Sequence, residues 1–370
     1  DSALADHYFA VLEDQVIGAA HAANFCLLPA RAGVAIGSLR IGVSRRERLP
    51  DGTMVLGEDP NGIVDPSVGV VRFDGLDGRP IATLVNYACH PDVLGPKSDL
   101  ISPDYVGAAR AVAETITRVP MLFFQGASAD IDPRCGIVLG DDALDEMNRL
   151  GTELGCEIAR VFQTINTARQ RDHRVVWEST ASIVTGWAYA DVEDAPHQLI
   201  ITTRSLTLPL RPLPDLEVAE QAVRDAEEAH QRALASCSQL SEHLVTQRRA
   251  QWAHLQRDAV ITGRAPVLPF ELQAIRLDDL AIVAMPGELF VEIGLAIKER
   301  SPARYTFIMP YSNGLYFYVP TAEAFTFGGY EVESYKNFLQ PSGPTPEWGE
   351  ILIRGSVDLL HMLFPADVFV

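Results

Sequence analysis

The stretch that most restricts how this chain can fold is Pro80 to Asp92, PIATLVNYACHPD. It alternates for several residues, runs apolar through Leu84 and Val85, and stops at Cys89-His90-Pro91. A nearly continuous apolar, β-rich run that holds its polar residue to the carboxyl end is the pattern of a buried parallel strand. In open α/β sheets ligands collect just beyond such carboxyl ends. His90 therefore stands where a metal ligand or a general base is useful, or where a histidine simply caps the strand by hydrogen-bonding a loop.

Three further segments end in the same manner. Pro120 to Phe124 (PMLFF) breaks into the turn-rich string Gln125-Gly126-Ala127-Ser128-Ala129-Asp130-Ile131-Asp132-Pro133. Leu280 to Met285 (LAIVAM) breaks into Pro286-Gly287-Glu288, and the following ELFVEIGLAIKER has helical spacing, which puts Glu288 at the first turn of a helix. Tyr305 to Met309 (YTFIM) runs into Pro310-Tyr311-Ser312-Asn313-Gly314. Four apolar strands, each discharging polar residues at its exit, imply one shared site.

Composition bounds what such a site serves. A chain of 370 residues with 47% hydrophobic content can bury a large core as one domain or two. No apolar run is long enough to span a bilayer. A formal charge of −19 argues against nucleic acid or an anionic membrane surface as partner, since both need basic faces. Cys26, Cys89, Cys135, Cys156 and Cys237 are odd in number and set mostly among apolar residues. They read as buried free thiols and lean toward a reducing, cytoplasmic compartment. No CxxC pair is present, so a structural zinc knuckle is excluded. The opening DSALADHYFAVLEDQVIGAAHAA reads as an amphipathic helix and not as a signal peptide.

In that helix Phe9, Leu12, Val16, Ile17 and Ala20 share one face, as a packing helix requires. Residues 31–43 read as one or two strands ending in Ser44-Arg45-Arg46-Glu47-Arg48. The arginines form a solvated turn, or one of them points into the site to hold a substrate oxygen. Residues 50–66 read as a loop, 67–89 as a β-hairpin, and a helix capped by Ser102 or Asp104 runs through Ile116. A strand from 120 and a helix from about Asp141 to Ile165 complete a βαβα-like unit. Residues 174–210 read as β with turns. The pattern then changes at Pro212, and 216–260 reads as two helices broken near Ser236-Cys237-Ser238. Residues 212–262 are thus expected to be a helical hairpin inserted in the domain. Pro266 onward returns to the sheet, and Trp348 to Phe364 is a closing helix. The expected fold is α/β, one domain over 1–370, with a mixed multi-stranded sheet core, flanking helices and the inserted hairpin.

Motif by motif, this order resembles the catalytic domain of the neutral ceramidases, zinc-dependent amidases that cleave N-acylsphingosines. The strand ending in His and followed by L-I-S-x-D is similar to NYACHPDVLGPKSDLISPD here, and the glutamine loop is similar to FFQGASADIDP. Pro-Gly-Glu before a helix matches Pro286-Gly287-Glu288. A segment of the form T-x-E-x-[YF]-x-x-x-x-Y-E matches Thr321-Ala322-Glu323-Ala324-Phe325 through Tyr330-Glu331. The resemblance covers essentially the whole chain apart from the helical hairpin. It implies that His90, Glu288 and Tyr330 are zinc ligands, and that Tyr330 binds the metal or donates to the tetrahedral oxyanion. Arg45 takes the place of a family arginine near the site, with Arg46 fitting nearly as well. Gln125, Asp132 and Tyr311, at the neighbouring strand exits, are the expected substrate contacts.

The family also carries a His-Thr-His-Ser-Gly-Pro-like segment upstream of the opening helix that supplies another zinc ligand, and this chain has none. His7 and His21 lie in the opening helix without a strand-exit context. The chain therefore reads as the downstream part of a longer polypeptide, with an upstream fragment of the same precursor as an expected partner chain. By the same resemblance, residues 1–370 are expected to correspond to the catalytic domain without the immunoglobulin-like carboxyl-terminal domain of the longer ceramidases. The aromatic loop Tyr311 to Phe327 either receives an acyl chain or belongs to the core. The function expected from this reading is a zinc-dependent amidohydrolase acting on a small-molecule N-acyl amide, ceramide-like or smaller, possible also as a homo-oligomer. A cysteine or serine hydrolase built on Cys89 with His90, or Ser128 with Asp132, competes poorly. Adjacent strand residues point to opposite faces, and Ser128 lacks a G-x-S-x-G elbow. A third reading is a non-catalytic binding protein on the same fold that has lost the metal site, with the hairpin as its partner surface.

Overall fold

The computed structural model describes residues 2–95, 98, 100–140, 142–192, 197–236, 240–263 and 267–365. Asp141, Cys237, Ser238 and Pro266 lie outside the described residues.

The first half of the chain runs α1 (Ser2–Phe25), β1 (Ala30–Ser38), β2 (Gly42–Arg48), β3 (Met54–Asp59), β4 (Ser67–Gly75), β5 (Pro80–Tyr87), α2 (Asp104–Thr117), β6 (Met121–Gln125), β7 (Ile131–Pro133) and α3 (Asp142–Thr164). A hairpin of β8 (Arg169–Glu178) and β9 (Ile183–Asp191) follows. The second half runs β10 (Leu199–Pro209), α4 (Leu216–Ala235), α5 (Leu240–Ile261), β11 (Val267–Leu277), β12 (Leu280–Ala284), β13 (Glu288–Leu289), α6 (Val291–Arg300), β14 (Tyr305–Met309), β15 (Tyr318–Val319), α7 (Ala324–Phe327), α8 (Tyr330–Glu333) and α9 (Trp348–Leu363).

Two four-stranded sheets of the same plan form the core. The first has the order β1-β4-β5-β6 and the second β10-β11-β12-β14. In each, two antiparallel pairs are followed by one parallel pair. The parallel pair in each is joined through a helix, α2 in the first sheet and α6 in the second. The apolar runs that identify β5 and β12 explain this plan, because each is covered on both faces. One face of the first sheet meets α2 and α3, and one face of the second meets α6 and α9. Between the sheets Val71, Leu84 and Phe124 pack against Ile282, Ala284 and Phe307. The sheets approach closely enough that a Cβ at Gly69 would run into the Phe307 ring. The sequence shows no repeat, so this two-fold plan is visible only in three dimensions.

Several local expectations change. The arginine run is no turn: Arg45 and Arg46 lie inside β2, which pairs with β7 and with β3, a strand within the expected 50–66 loop. Glu288 belongs to the short strand β13, and α6 begins only at Val291. The opening helix forms, but Phe9, Leu12, Val16 and Ile17 are all exposed, so it does not pack on the described body as expected. Of the four described cysteines only Cys89 is fully buried, while Cys26 and Cys156 are exposed, against the reading of buried thiols. In the aromatic loop, Phe317 and Tyr318 join the core and Phe317 stacks on Trp348 at 5.1 Å. The helical hairpin α4–α5 lies between β10 and β11, which pair directly with each other. No described helix is long and apolar enough to cross a membrane.

Candidate active site

The carboxyl ends of β5, β6, β12 and β14 converge, and Asn86 holds them together. Its Nδ2 donates to the carbonyls of Phe124 (3.0 Å), Gln125 (3.3 Å) and Ile308 (3.0 Å), bridging the two sheets just before the chain reaches His90. In the loop after β5, His90 Nδ1 faces the carbonyl oxygens of Ser128 (2.7 Å) and Ile131 (3.2 Å). Carbonyls only accept, so Nδ1 carries a proton and Nε2 is the nitrogen left to face Glu288. Nε2 points at Glu288 Oε2, 3.4 Å away. Burial and the Arg45 charge oppose protonation of His90. The hydrogen bond to Glu288, with the Asp132 and Glu288 charges, outweighs them, and the imidazole pKa lies above its ordinary value.

Glu288 is set by the Pro286-Gly287 turn. Gly287 has φ +93°, a conformation that side-chain-bearing residues rarely adopt, and its carbonyl receives Tyr311 N at 3.1 Å. This brings the Tyr311 hydroxyl to Glu288 Oε2 at 2.9 Å. Burial, and then the Glu288 charge, push the Tyr311 phenol well above its usual pKa, so it remains a proton donor.

Arg45 forms the opposite wall. Its Nε donates to Glu331 Oε1 (2.9 Å) and its Nη1 to Asp132 Oδ1 (3.1 Å), and its guanidinium lies over Tyr318 (5.5 Å to the ring centre). Arg46 completes the network through Nη1 to Glu331 Oε2 at 2.5 Å and Nη2 to the Gly328 carbonyl at 2.7 Å. Arg45 is 4% exposed, and its Nη2 is buried without a hydrogen-bond partner among the described residues. Asp92, beside His90, is pushed up to about 6 by burial and by the Asp132 charge.

Of the residues singled out by sequence, His90, Glu288 and Tyr311 are in direct contact, and Arg45 and Asp132 form an adjoining pair. Gln125 is not free for substrate in this arrangement: its Nε2 donates to the Cys89 carbonyl (2.7 Å) and to Ser128 Oγ (2.6 Å), tying two loops. Tyr330 stands apart from His90 and Glu288. It is 42% exposed and reaches the cluster's edge through Tyr318, with ring centres 5.6 Å apart, and through the Arg45 guanidinium, 5.9 Å from its ring centre. Two residues escaped sequence reasoning. Glu331, 2% exposed, is the shared anion for Arg45 and Arg46, and its only signal was its place next to Tyr330. Tyr318 lay in an aromatic run whose alternation did not separate core from site. The alternative nucleophiles are enclosed: burial pushes the Cys89 thiol well up, and Ser128 is 1% exposed.

His90 Nε2 and Glu288 are suitable zinc donors, and the pinned Nδ1 is what holds a ligating imidazole in one tautomer. Catalytic zinc takes three protein ligands. Among the described residues no cluster of three or more His, Cys, Asp or Glu is gathered, and Tyr330 makes no described contact with either donor. The residues present therefore do not by themselves fit a catalytic zinc.

No protein-family model and no curated protein sequence matches the chain. Solved structures do. The neutral ceramidase from Pseudomonas aeruginosa aligns over 95% of this chain and 55% of its own, with a TM-score of 0.57 and 18% identity. A structure described as ceramidase complexed with C2 aligns over 91% of this chain and 54% of its own, with a TM-score of 0.56 and 17% identity. The chain thus spans about half the length of the structures it matches. At this level of identity the likeness speaks for the fold: the chain folds as a neutral ceramidase-like domain.

Proposed function

We propose that this chain carries the hydrolytic site of an amide hydrolase acting on N-acyl amides. The observation that carries this reading is the convergence of four strand exits on one His90–Glu288–Tyr311 cluster beside a buried, incompletely partnered arginine. The ceramidase-like fold supports it. Amide hydrolysis needs a base for water, a donor for the carbonyl oxygen and a proton for the departing amine. With Nδ1 held by two carbonyls, the neutral form of His90 accepts the proton of water at Nε2, and Glu288 stabilises the imidazolium that results. The unpartnered Arg45 Nη2 is the candidate donor to the carbonyl oxygen as it gains charge. The Tyr311 hydroxyl orients Glu288, and the proton taken from water passes from His90 Nε2 to the departing nitrogen as the C–N bond breaks.

A zinc-dependent version is the finer reading, with His90 and Glu288 as two ligands and a third donor from outside the described set, such as an upstream fragment of the same precursor. Because that donor is not gathered here, a non-catalytic binding protein on the same fold is the second reading. Both are tested with purified protein supplied with zinc, assayed by mass spectrometry for amine released from N-acylsphingosines and from simple N-acyl amides. We expect turnover, reduced at least about a hundredfold by His90→Ala and by Glu288→Ala. Absence of release above the blank, or variants as active as the parent, would refute hydrolysis by this chain's own residues and favour the binding protein.

A further inference from the structure

A cleft of about 850 Å3 lies between the inserted hairpin and the segment that carries Tyr330. One wall is α4 and α5, and the other is Met54 with parts of residues 329–337. The hairpin is fastened there by three donors of α5: Arg248 Nε to the Asn337 carbonyl (2.7 Å), Trp252 Nε1 to Gln340 (2.8 Å) and Gln256 Nε2 to Pro341 (3.0 Å). Tyr330 lines the cleft and is also the outer ring of the stack over Arg45 and Tyr318. Tyr330 is therefore the side chain by which this cleft adjoins the Arg45 wall of the hydrolytic cluster.

The volume suits a small organic ligand. The lining is not that of a hydrocarbon tunnel, because Asp225, Thr246, Arg249, Glu333 and Lys336 all face it, and a long alkyl chain would strip water from them without replacing its hydrogen bonds. Four of these five already have partners. Glu333 accepts from Arg211 (3.0 Å) and Lys336 (2.8 Å), whose ammonium also lies over Trp252 (5.4 Å). Asp225 accepts from Gln221 (2.7 Å), and Thr246 donates to the Glu242 carbonyl (2.9 Å). The Arg249 side chain makes no hydrogen bond, ion pair or ring contact with any described residue. In a chain of net charge −19, an unpaired guanidinium on a cleft wall is a ready partner for a carboxylate.

We propose that this cleft holds the non-reacting portion of the substrate, and that Arg249 selects amides bearing a terminal carboxylate several bonds from the scissile C–N bond. The inference rests on the amide-hydrolase reading but has a readout of its own. N-acetyl-6-aminohexanoate and its uncharged counterpart N-acetyl-6-aminohexanol are titrated into the purified protein, with emission of Trp252 assigned by comparison with Trp252→Phe. The carboxylate should bind about tenfold tighter than the alcohol, and Arg249→Ala should abolish that preference. Arg249 is exposed and unpaired, so its truncation leaves the fold intact. Equal binding of the two probes, no binding of the carboxylate, or a preference that survives Arg249→Ala overturns the assignment. The two proposals fail separately: turnover without an Arg249-dependent preference refutes the cleft, and the preference without turnover refutes the hydrolase.

Discussion

Glu331 concentrates the demands that a buried site makes on single residues. One carboxylate answers two guanidinium groups, Arg45 and Arg46, in a place nearly closed to water. Replacing it with alanine leaves Arg46 without its carboxylate and Arg45 with Asp132 alone, and breaking such a buried pair typically costs about 3–5 kcal/mol. Glu331→Ala should therefore lower the urea midpoint strongly, whereas loss of an exposed pair such as Arg79–Asp77 should change it little. An equal, small effect of both would show that the network is not what holds β2 against α8. At this scale His90 and Glu288 were legible in sequence because each follows an apolar strand, where a polar residue has few places to point. Glu331 was not, because a glutamate among polar neighbours carries no mark of burial. Only its distant partners, 285 and 286 positions away, reveal it.

Between elements, two of the contacts that join the halves of the molecule lend themselves to test. Lys298 of α6 reaches Asp65, just before β4, at 2.6 Å, and Ser67 also donates to that carboxylate. Burial alone would raise the Asp65 pKa, but Lys298 and Ser67 outweigh it and hold the carboxyl below its usual range. A depressed pKa contributes stability that is present above the unfolded value of about 4 and lost as pH falls through the folded one. Lys298→Met should thus destabilise by about 3 kcal/mol at pH 7, and the gap to the parent should narrow below about pH 4. Unfolding curves at both pH values check the sign; a gap that widens on acidification would be the wrong sign. The second contact is the close approach of Gly69 to Phe307, where Gly69→Val should cost about 1–3 kcal/mol by overpacking the space between the sheets. The apolar runs announced both sheets. Nothing in them stated that the strands divide into two stacked sheets, because a strand covered on both faces reads alike whether its cover is a helix or another sheet.

For the molecule as a whole, two similar sheets lie face to face with helices outside, and the site forms where their carboxyl ends meet. His90 follows β5 of one sheet and Glu288 follows β12 of the other, so each half supplies one member of the contacting pair. The opening helix α1 takes no part in this core. Deleting residues 2–25 should leave the melting temperature of the remainder unchanged within about 2 °C, and a larger fall in calorimetry would mean that α1 is covered in solution. By itself the sequence determined the α/β class, most strand and helix positions and the strand-exit candidates, since burial periodicity and chain breaks are local properties. Tertiary structure alone decided that Arg45 is buried and not in a solvated turn, that Tyr330 stands outside the His90–Glu288 contact, and that the hairpin walls a cleft. Each of these depends on which distant segments meet, and no local pattern encodes that.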